Sequence, residues 1–222
     1  MTNNTQAAHN DTTQVGTQVQ PTTADATFTV DQIEEQAYRS GAYSLLARLL
    51  RSPPEREVLD QVAGFAKIES QRDEMALAMS MLGLAANTSH AEAVDDEFHA
   101  LFIGIGRGEL VPFGSWYLTG YLMERPLGRL RDDLAALGFH RQEGVSEPED
   151  HVAALCEVMA ILIKEGAALE VQRDFFKSHL ADWLGRFFSD LSEAGSAVFY
   201  RAVGRFGAAF MALEQRYLSM PV

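Results

Sequence analysis

Three carboxylates and one imidazole lie within six residues of the sequence, in the segment SEPEDH from Ser146 to His151. Side chains of these types serve in acid–base catalysis, in metal binding and in the recognition of basic ligands. A hydrolase would need Asp150 to orient His151 beside a nucleophile such as Ser115 or Cys156. Adjacent residues of a helix do not face one another, and a thiol in an apolar stripe is usually inert. The pattern therefore disfavours catalysis by these groups.

The remaining residues that could bind an ion or a phosphate group form no motif. None of the six histidines stands in an HExxH sequence or four residues from another histidine, so we predict neither a metal site nor a cofactor site. The segment GIGRGE places Glu109 where a GxGxxG phosphate loop has its third glycine, and LVPF rather than a helix start follows it. These glycines are better explained as the stop of a helix.

The charge and composition exclude several function classes. The net charge is -13, with 31 acidic and 18 basic residues, which disfavours binding to nucleic acid or to an anionic membrane. An acidic protein attracts basic ligands, but on charge alone solubility explains the acidic excess better. One cysteine and the lack of a long apolar run predict a soluble protein without disulfides or stable membrane insertion. Residues 1–30 have no Lys or Arg and few large apolar residues, so we predict a disordered tail, a domain over 31–222 and a cytoplasmic location.

Apolar residues recur at helical spacing along the chain, and no Asn-Gly or Asp-Gly hairpin signal interrupts them. We predict an all-α, single-domain bundle of about nine to ten helices. The expected helices run from Asp31 to Pro53, over 54–66 and 71–86, from a Ser89 cap to the glycine segment, from a Ser115 cap, from Pro126 to Gly138, and over 148–169, 173–193 and 196–219.

The local structural explanation of EPEDH is the start of a helix. Pro148 suits a first helical turn, and the positive end of the helix dipole favours Glu149 and Asp150. A cationic imidazole is disfavoured at that end of a helix, so His151 is left unexplained.

Six segments, in order and spacing, resemble the TorD/DmsD/NarJ family of redox-enzyme maturation chaperones. They are FHALFIG, VPFGSWYL, PLGRLRDDLAALGF, EPEDHVAALCEVMAIL, FFKSHLADWLGRFFSDL and VFYRAVGRFGAAFMALE, and the resemblance covers residues 33–217. The family's E-P-x-D-H motif is complete, as Glu147, Pro148, Asp150 and His151.

The resemblance implies an all-helical cytoplasmic chaperone without catalytic activity. Such proteins bind the twin-arginine signal peptide of the catalytic subunit of a molybdenum-cofactor oxidoreductase, or its apo form, and delay export until the cofactor is inserted. By position, the family's peptide surface corresponds to Phe98, Leu101, Phe102, Pro112, Phe113, Ser115, Asp150 and His151. Phe113 departs from the tryptophan of DmsD-like members.

A twin-arginine signal combines two guanidinium groups with an apolar stretch, so its receptor needs carboxylates beside an apolar groove. We expect Asp150 to anchor the positive charge and His151 to shape the loop by hydrogen bonding. The further groups expected at this surface are Glu147, Glu149, Phe102, Phe113, Trp116 and Tyr117.

Three other functions stay open on the sequence. They are a NarJ-like assembly chaperone of a cytoplasmic-facing molybdoenzyme, an enzyme using Asp150 and His151, and a general acidic helical adaptor. The client is open among trimethylamine oxide, dimethyl sulfoxide, formate and nitrate enzymes. We expect a monomer, with the loop 139–147 around Gly144 as a hinge for a domain-swapped dimer.

Overall fold

The computed structural model describes residues 30–69, 73–141 and 147–220. In these ranges it contains ten α-helices and no β-strand, which confirms the all-helical prediction. The helices are α1 (Val30–Arg51), α2 (Arg56–Ala63), α3 (Glu74–Thr88), α4 (Ala91–Phe98), α5 (Gly114–Thr119), α6 (Arg125–Ala136), α7 (Val152–Lys164), α8 (Leu169–His179), α9 (Leu184–Glu193) and α10 (Phe199–Ser219). A π-helical turn, His99–Ile103, continues α4. The predicted tail, apart from Val30, and the hinge residue Gly144 lie outside the described residues.

The helices pack in two main groups, with α1 against α7 and with α10 against both α9 and α3. Aromatic side chains fill the second group, and Phe188 and Phe206 are fully buried there. At Gly207 of α10, a Cβ atom would lie 2.2 Å from the Phe188 ring, so only glycine allows α9 and α10 to approach this closely. None of the helices in the described ranges is long and apolar enough to cross a bilayer.

A buried ion pair fixes the first helix to the last. The Arg39 guanidinium donates two hydrogen bonds to Glu214, at 2.8 and 2.5 Å, and both side chains are almost completely buried. A further nitrogen donates to the side-chain oxygens of Gln36 and Gln172, and the guanidinium lies 4.3 Å from the centre of the Tyr217 ring. The network therefore joins α1, α8 and α10 through one buried cation, which makes four side-chain hydrogen bonds.

Several predicted helix boundaries and caps are wrong. The helix predicted over 148–169 begins only at Val152 and ends at Lys164, with Gly166 in the left-handed region at a φ of 73°. The segment 173–193 is interrupted between α8 and α9. Ser89 donates to the carbonyl of Ala85 in the preceding helix instead of capping α4. Ser115 lies inside α5, one residue after its start, so it is not the cap.

Candidate functional site at the start of α5

Two sequence segments meet at the start of α5. The amide of Gly114 donates to the carbonyl of Asp150, and the amide of Val152 donates to the carbonyl of Pro112, both at 2.9 Å. Phe113 and His151 thereby form an isolated antiparallel bridge, and their rings meet edge to face with centroids 5.0 Å apart. We call residues 112–117 together with 147–152 the α5 junction. It brings the VPFGSWY and EPEDH segments into direct contact.

Asp150 supplies the cap that the sequence analysis assigned to Ser115. Its Oδ2 accepts a hydrogen bond from the amide of Ser115 at 2.7 Å, in the first turn of α5. Both residues are buried, with 3% of Asp150 and none of Ser115 exposed. A carboxylate at this position satisfies a helix amide that has no partner within its own helix. Asp150 therefore fixes α5 to the segment that precedes α7.

One oxygen of Asp150 is left without a partner. Among the described residues, neither Asp150 Oδ1 nor Ser115 Oγ makes a hydrogen bond, although both atoms are buried. The two residues line a cavity of about 340 Å³ between α5, α6 and the segment joining α8 to α9. The other side chains that surround this cavity include Leu118, Thr119, Arg125, Arg129, Leu130, Leu155, His179, Asp182 and Trp183. Both atoms can accept a hydrogen bond, but because they are closed to solvent, a donor in the cavity reaches them only when the residues that cover them move aside.

His151 is the N-cap of α7, which answers the question that the sequence left open. Its Nδ1 accepts a hydrogen bond from the amide of Ala153 at 3.2 Å. Burial, together with the charge of Arg51, lowers the pKa of His151 from 6.5 to about 4. The ring is therefore neutral near pH 7, so the positive end of the helix dipole does not oppose it. Its Nε2 lies 3.7 Å from Glu147.

We expect His151 to make stability depend on pH. Because the folded pKa, about 4, lies below the unfolded value of about 6.5, the unfolded chain binds the proton first as pH falls through this window. Between pH 7 and pH 5 this costs about 2 kcal/mol of unfolding free energy. His151→Asn keeps a capping acceptor and removes the titration, so its loss over the same interval should be about 2 kcal/mol smaller. Urea unfolding at both pH values measures the difference, and equal losses in the two proteins would contradict the assignment.

The two glutamates of the motif are placed differently. Glu149 accepts hydrogen bonds from Arg131 at 2.9 Å and lies 3.5 Å from Arg141. Burial raises the pKa of Glu149, but the hydrogen bond and charge of Arg131, together with a backbone hydrogen bond and the charge of Arg141, leave that pKa below its usual value. Burial also raises the pKa of Glu147, against the lowering effect of Arg51. Glu149 is thus held by Arg131 and Arg141, whereas Glu147 is more exposed and its carboxylate lies 3.7 Å from the neutral imidazole of His151.

The aromatic residues expected at the surface divide into core and partly exposed groups. Phe98 and Leu101 are core residues, and Phe102 packs edge to face on Phe98 with centroids 5.0 Å apart. Trp116 and Tyr117 are half-buried on α5, and a guanidinium group lies over each ring. The guanidinium carbon of Arg107 is 5.1 Å from the centre of the Trp116 ring, and that of Arg186 is 4.9 Å from the centre of the Tyr117 ring. Pro112 is buried, and Phe113 is half-buried. The structure therefore brings the EPEDH and VPFGSWY segments together, whereas Phe98 and Leu101 lie in the hydrophobic core.

An exposed apolar surface flanks α5, and the sequence analysis did not identify it. Ile105 is fully exposed, and Tyr121 and Met123 are 70% and 71% exposed. We call the exposed apolar residues on both sides of α5 the apolar rim: Ile103, Ile105, Leu118, Tyr121, Leu122 and Met123. Met123 has a φ of 59°, an uncommon conformation for a residue with a side chain. The apolar run YLM directly after Gly120 was the available signal in the sequence.

The features required for bond chemistry are not assembled in the described part of the chain. Cys156 is completely buried, and burial raises the pKa of its thiol. The side chains of Asp150 and His151 accept hydrogen bonds from backbone amides of two different helices. No group of three or more His, Cys, Asp or Glu side chains in the described ranges is arranged to hold a metal ion.

The chain is similar in sequence to a known protein family. A family model described as the nitrate reductase delta subunit matches residues 68–189, more than half of the sequence. Chaperone protein TorD of Vibrio cholerae is 28% identical over 174 residues, covering 73% of this chain and 79% of that protein. TorD of Vibrio parahaemolyticus is 24% identical over 175 residues, covering 73% and 81%.

A solved structure has the same fold. A candidate redox enzyme maturation protein from Archaeoglobus fulgidus matches 78% of this chain and 93% of its own, with a TM-score of 0.56 and 18% identity. The relatives named here are chaperones, in agreement with the expectation that the chain is not an enzyme. The chain therefore belongs to the nitrate reductase delta subunit family, the NarJ/TorD family of redox-enzyme maturation chaperones.

Proposed function

We propose that this chaperone binds the twin-arginine signal peptide of a molybdenum-cofactor oxidoreductase catalytic subunit, or the apo form of that subunit. It acts in the cytoplasm and holds its client until the cofactor is inserted and export follows. The observation that carries the proposal is the unpartnered Asp150 oxygen in a cavity next to the apolar rim. A twin-arginine signal presents the complementary pair of features, a guanidinium donor and an apolar stretch.

The proposal gives Asp150 two roles through its two oxygens. Oδ2 holds the amide of Ser115, while Oδ1 accepts from the incoming guanidinium once the residues that cover it have moved aside. Arg125 and Arg129 also line the cavity, so their exposed side chains must turn towards solvent as the peptide enters. The net charge of -13 attracts a cationic leader over the longer range.

The other residues of the junction contact or support the peptide. Phe113, Trp116 and Tyr117 are partly exposed and continue the apolar rim, while Glu147 offers a further carboxylate at the edge. Pro112, His151 and Glu149 fix the backbone that presents these groups. Phe98, Leu101 and Phe102 support the glycine-rich segment that carries Ile103 and Ile105.

The family model supports a second candidate. Its description names the nitrate reductase delta subunit, which favours a NarJ-like chaperone whose client keeps only a remnant of an export signal at its N-terminus. Such a client would bind the same apolar rim, and its binding would depend less on Asp150.

Recovery of the tagged chain from its native cytoplasm tests the proposal. We expect a molybdenum-cofactor catalytic subunit among the bound proteins, with its leader intact if the first candidate holds and with a leader remnant if the second holds. A variant in which Tyr121, Leu122 and Met123 are serine should lose that partner while it keeps its helical circular dichroism. Bound proteins without any such subunit would contradict both candidates.

A further inference from the structure

The segment between the π-helical turn and the VPFGSWY segment is a loop with a fixed base. We call residues 104–108 the glycine loop. At its base, the amides of Glu109 and Leu110 donate to the carbonyls of Ala100 and Leu101, at 3.2 and 2.8 Å. The Glu109 carboxylate also accepts from the amides of Gly195 and Ser196. The base is thereby tied both to the preceding turn and to the segment before α10.

The tip of the loop is open to solvent and depends on glycine. Gly104 and Gly106 have φ values of 59° and 90°, in the region that residues with side chains rarely adopt. At Gly104, a Cβ atom would lie 2.1 Å from the carbonyl oxygen of Arg107. Ile105, between these glycines, is fully exposed. The conformation of the tip therefore fixes the position of Arg107, although the tip buries no apolar side chain.

Arg107 rests on Trp116 of α5. Its guanidinium carbon lies 5.1 Å from the centre of the Trp116 ring, within the range of a cation–π contact. Within the described residues, Arg107 has neither a carboxylate partner nor a hydrogen bond, although the chain has 31 acidic residues. By contrast, Arg186 both covers the Tyr117 ring and donates to the Tyr117 carbonyl. Arg107 is thus held by its aromatic contact alone.

We infer that the Trp116 ring is a guanidinium subsite, and that Arg107 occupies it until an arginine of the client displaces it. The inference rests on the proposed function, because the displacing arginine belongs to the client's leader. Two guanidinium groups cannot share one ring face, because their charges repel and their volumes overlap. The glycine loop moves away with Arg107, while its base stays bound at Glu109 and Leu110.

The strength of an exposed cation–π contact determines how much removing Arg107 should change the affinity for the peptide. The contact keeps Arg107 on the ring in most molecules and leaves the subsite open in about a fifth of them. Apparent affinity scales with the open fraction, so removing Arg107 should tighten binding of a paired-arginine peptide by about three- to sixfold. If Arg107 instead contacted the client directly, its removal would weaken binding.

Calorimetry with a synthetic paired-arginine peptide and the full chain tests the inference. We expect Arg107→Gln to tighten binding by about three- to sixfold. Arg205→Gln removes the same charge from an exposed position on α10, next to the Met81 sulfur, and should leave the dissociation constant within about twofold of the wild-type value. In a Trp116→Leu background, Arg107→Gln should give no gain. Unchanged or weaker binding by Arg107→Gln would overturn the inference.

Arginine amide provides a test that does not require the peptide to bind. The chain has two tryptophans, so fluorine NMR of 5-fluorotryptophan-labelled protein gives one signal for Trp116 and one for the buried Trp183 as reference. The Trp116 signal should shift at a severalfold lower arginine amide concentration in Arg107→Gln than in the wild type. Equal concentrations would overturn the subsite. A peptide that binds neither protein, with the amide result as expected, would contradict only the proposed function.

Discussion

Asp150→Ala is expected to lower the unfolding free energy by about 2–3 kcal/mol and to weaken binding of a paired-arginine peptide by about fivefold or more. The stability loss arises because the Ser115 amide, which donates to Asp150 at 2.7 Å in a buried setting, is left without an acceptor. The affinity loss arises because the cavity loses the buried carboxylate oxygen of Asp150, which has no partner among the described residues. Chemical unfolding and calorimetry measure the two effects separately.

Asp150→Asn separates the hydrogen bond from the charge. Its side-chain oxygen still accepts from Ser115, so most of the stability should return, while the affinity for the peptide should stay low. Asp182→Asn is the matched control, since Asp182 lines the same cavity with an exposed side chain. Wild-type affinity in Asp150→Asn would show that the carboxylate charge does not bind the peptide. Wild-type stability in Asp150→Ala would contradict its capping role.

Glu214→Ala is expected to have the largest effect on stability, a loss of about 3–5 kcal/mol. The substitution leaves the Arg39 guanidinium buried and charged, with only two glutamine oxygens and the Tyr217 ring as partners. Unfolding by urea, followed by circular dichroism, measures the loss. Gln215→Ala, an exposed neighbour on α10, should change stability by less than about 0.5 kcal/mol.

The double variant Arg39→Met with Glu214→Leu tests the cause of that loss. Replacing both charges removes the unpaired cation, so the double variant should be clearly more stable than Glu214→Ala. If the double variant were as unstable as the single one, the loss would come from packing rather than from the buried charge.

Helical periodicity was sufficient to predict the fold class. The apolar spacing of α1 and α10, the proline at the start of α6 and the left-handed Gly138 after it were all read correctly, because each depends on neighbouring residues. The start of α7 was misplaced because EPEDH satisfies local rules for a helix start. The structure uses its Asp150 to cap another helix, 35 residues earlier in the chain.

Contacts between distant residues were beyond sequence reasoning. Arg39 and Glu214 are 175 positions apart, and charged residues on helices are expected at the surface, so nothing in either local pattern indicates that they are buried together. The selection of the VPFGSWY and EPEDH segments came from the family resemblance, and their backbone bridge could be seen only in three dimensions. The predicted peptide-binding roles of these residues stay predictions, as do the tail and the hinge.

Direct titration with signal peptides tests the central claim, that the α5 junction and its apolar rim bind a leader with paired arginines. We predict that a leader with two arginines binds the full chain with a dissociation constant of about 1 μM, and that its twin-lysine version binds at least about fivefold more weakly. A scrambled leader of the same composition should bind more weakly still. Equal affinity for all three leaders, or no binding of the twin-arginine leader at about 100 μM, would contradict the claim.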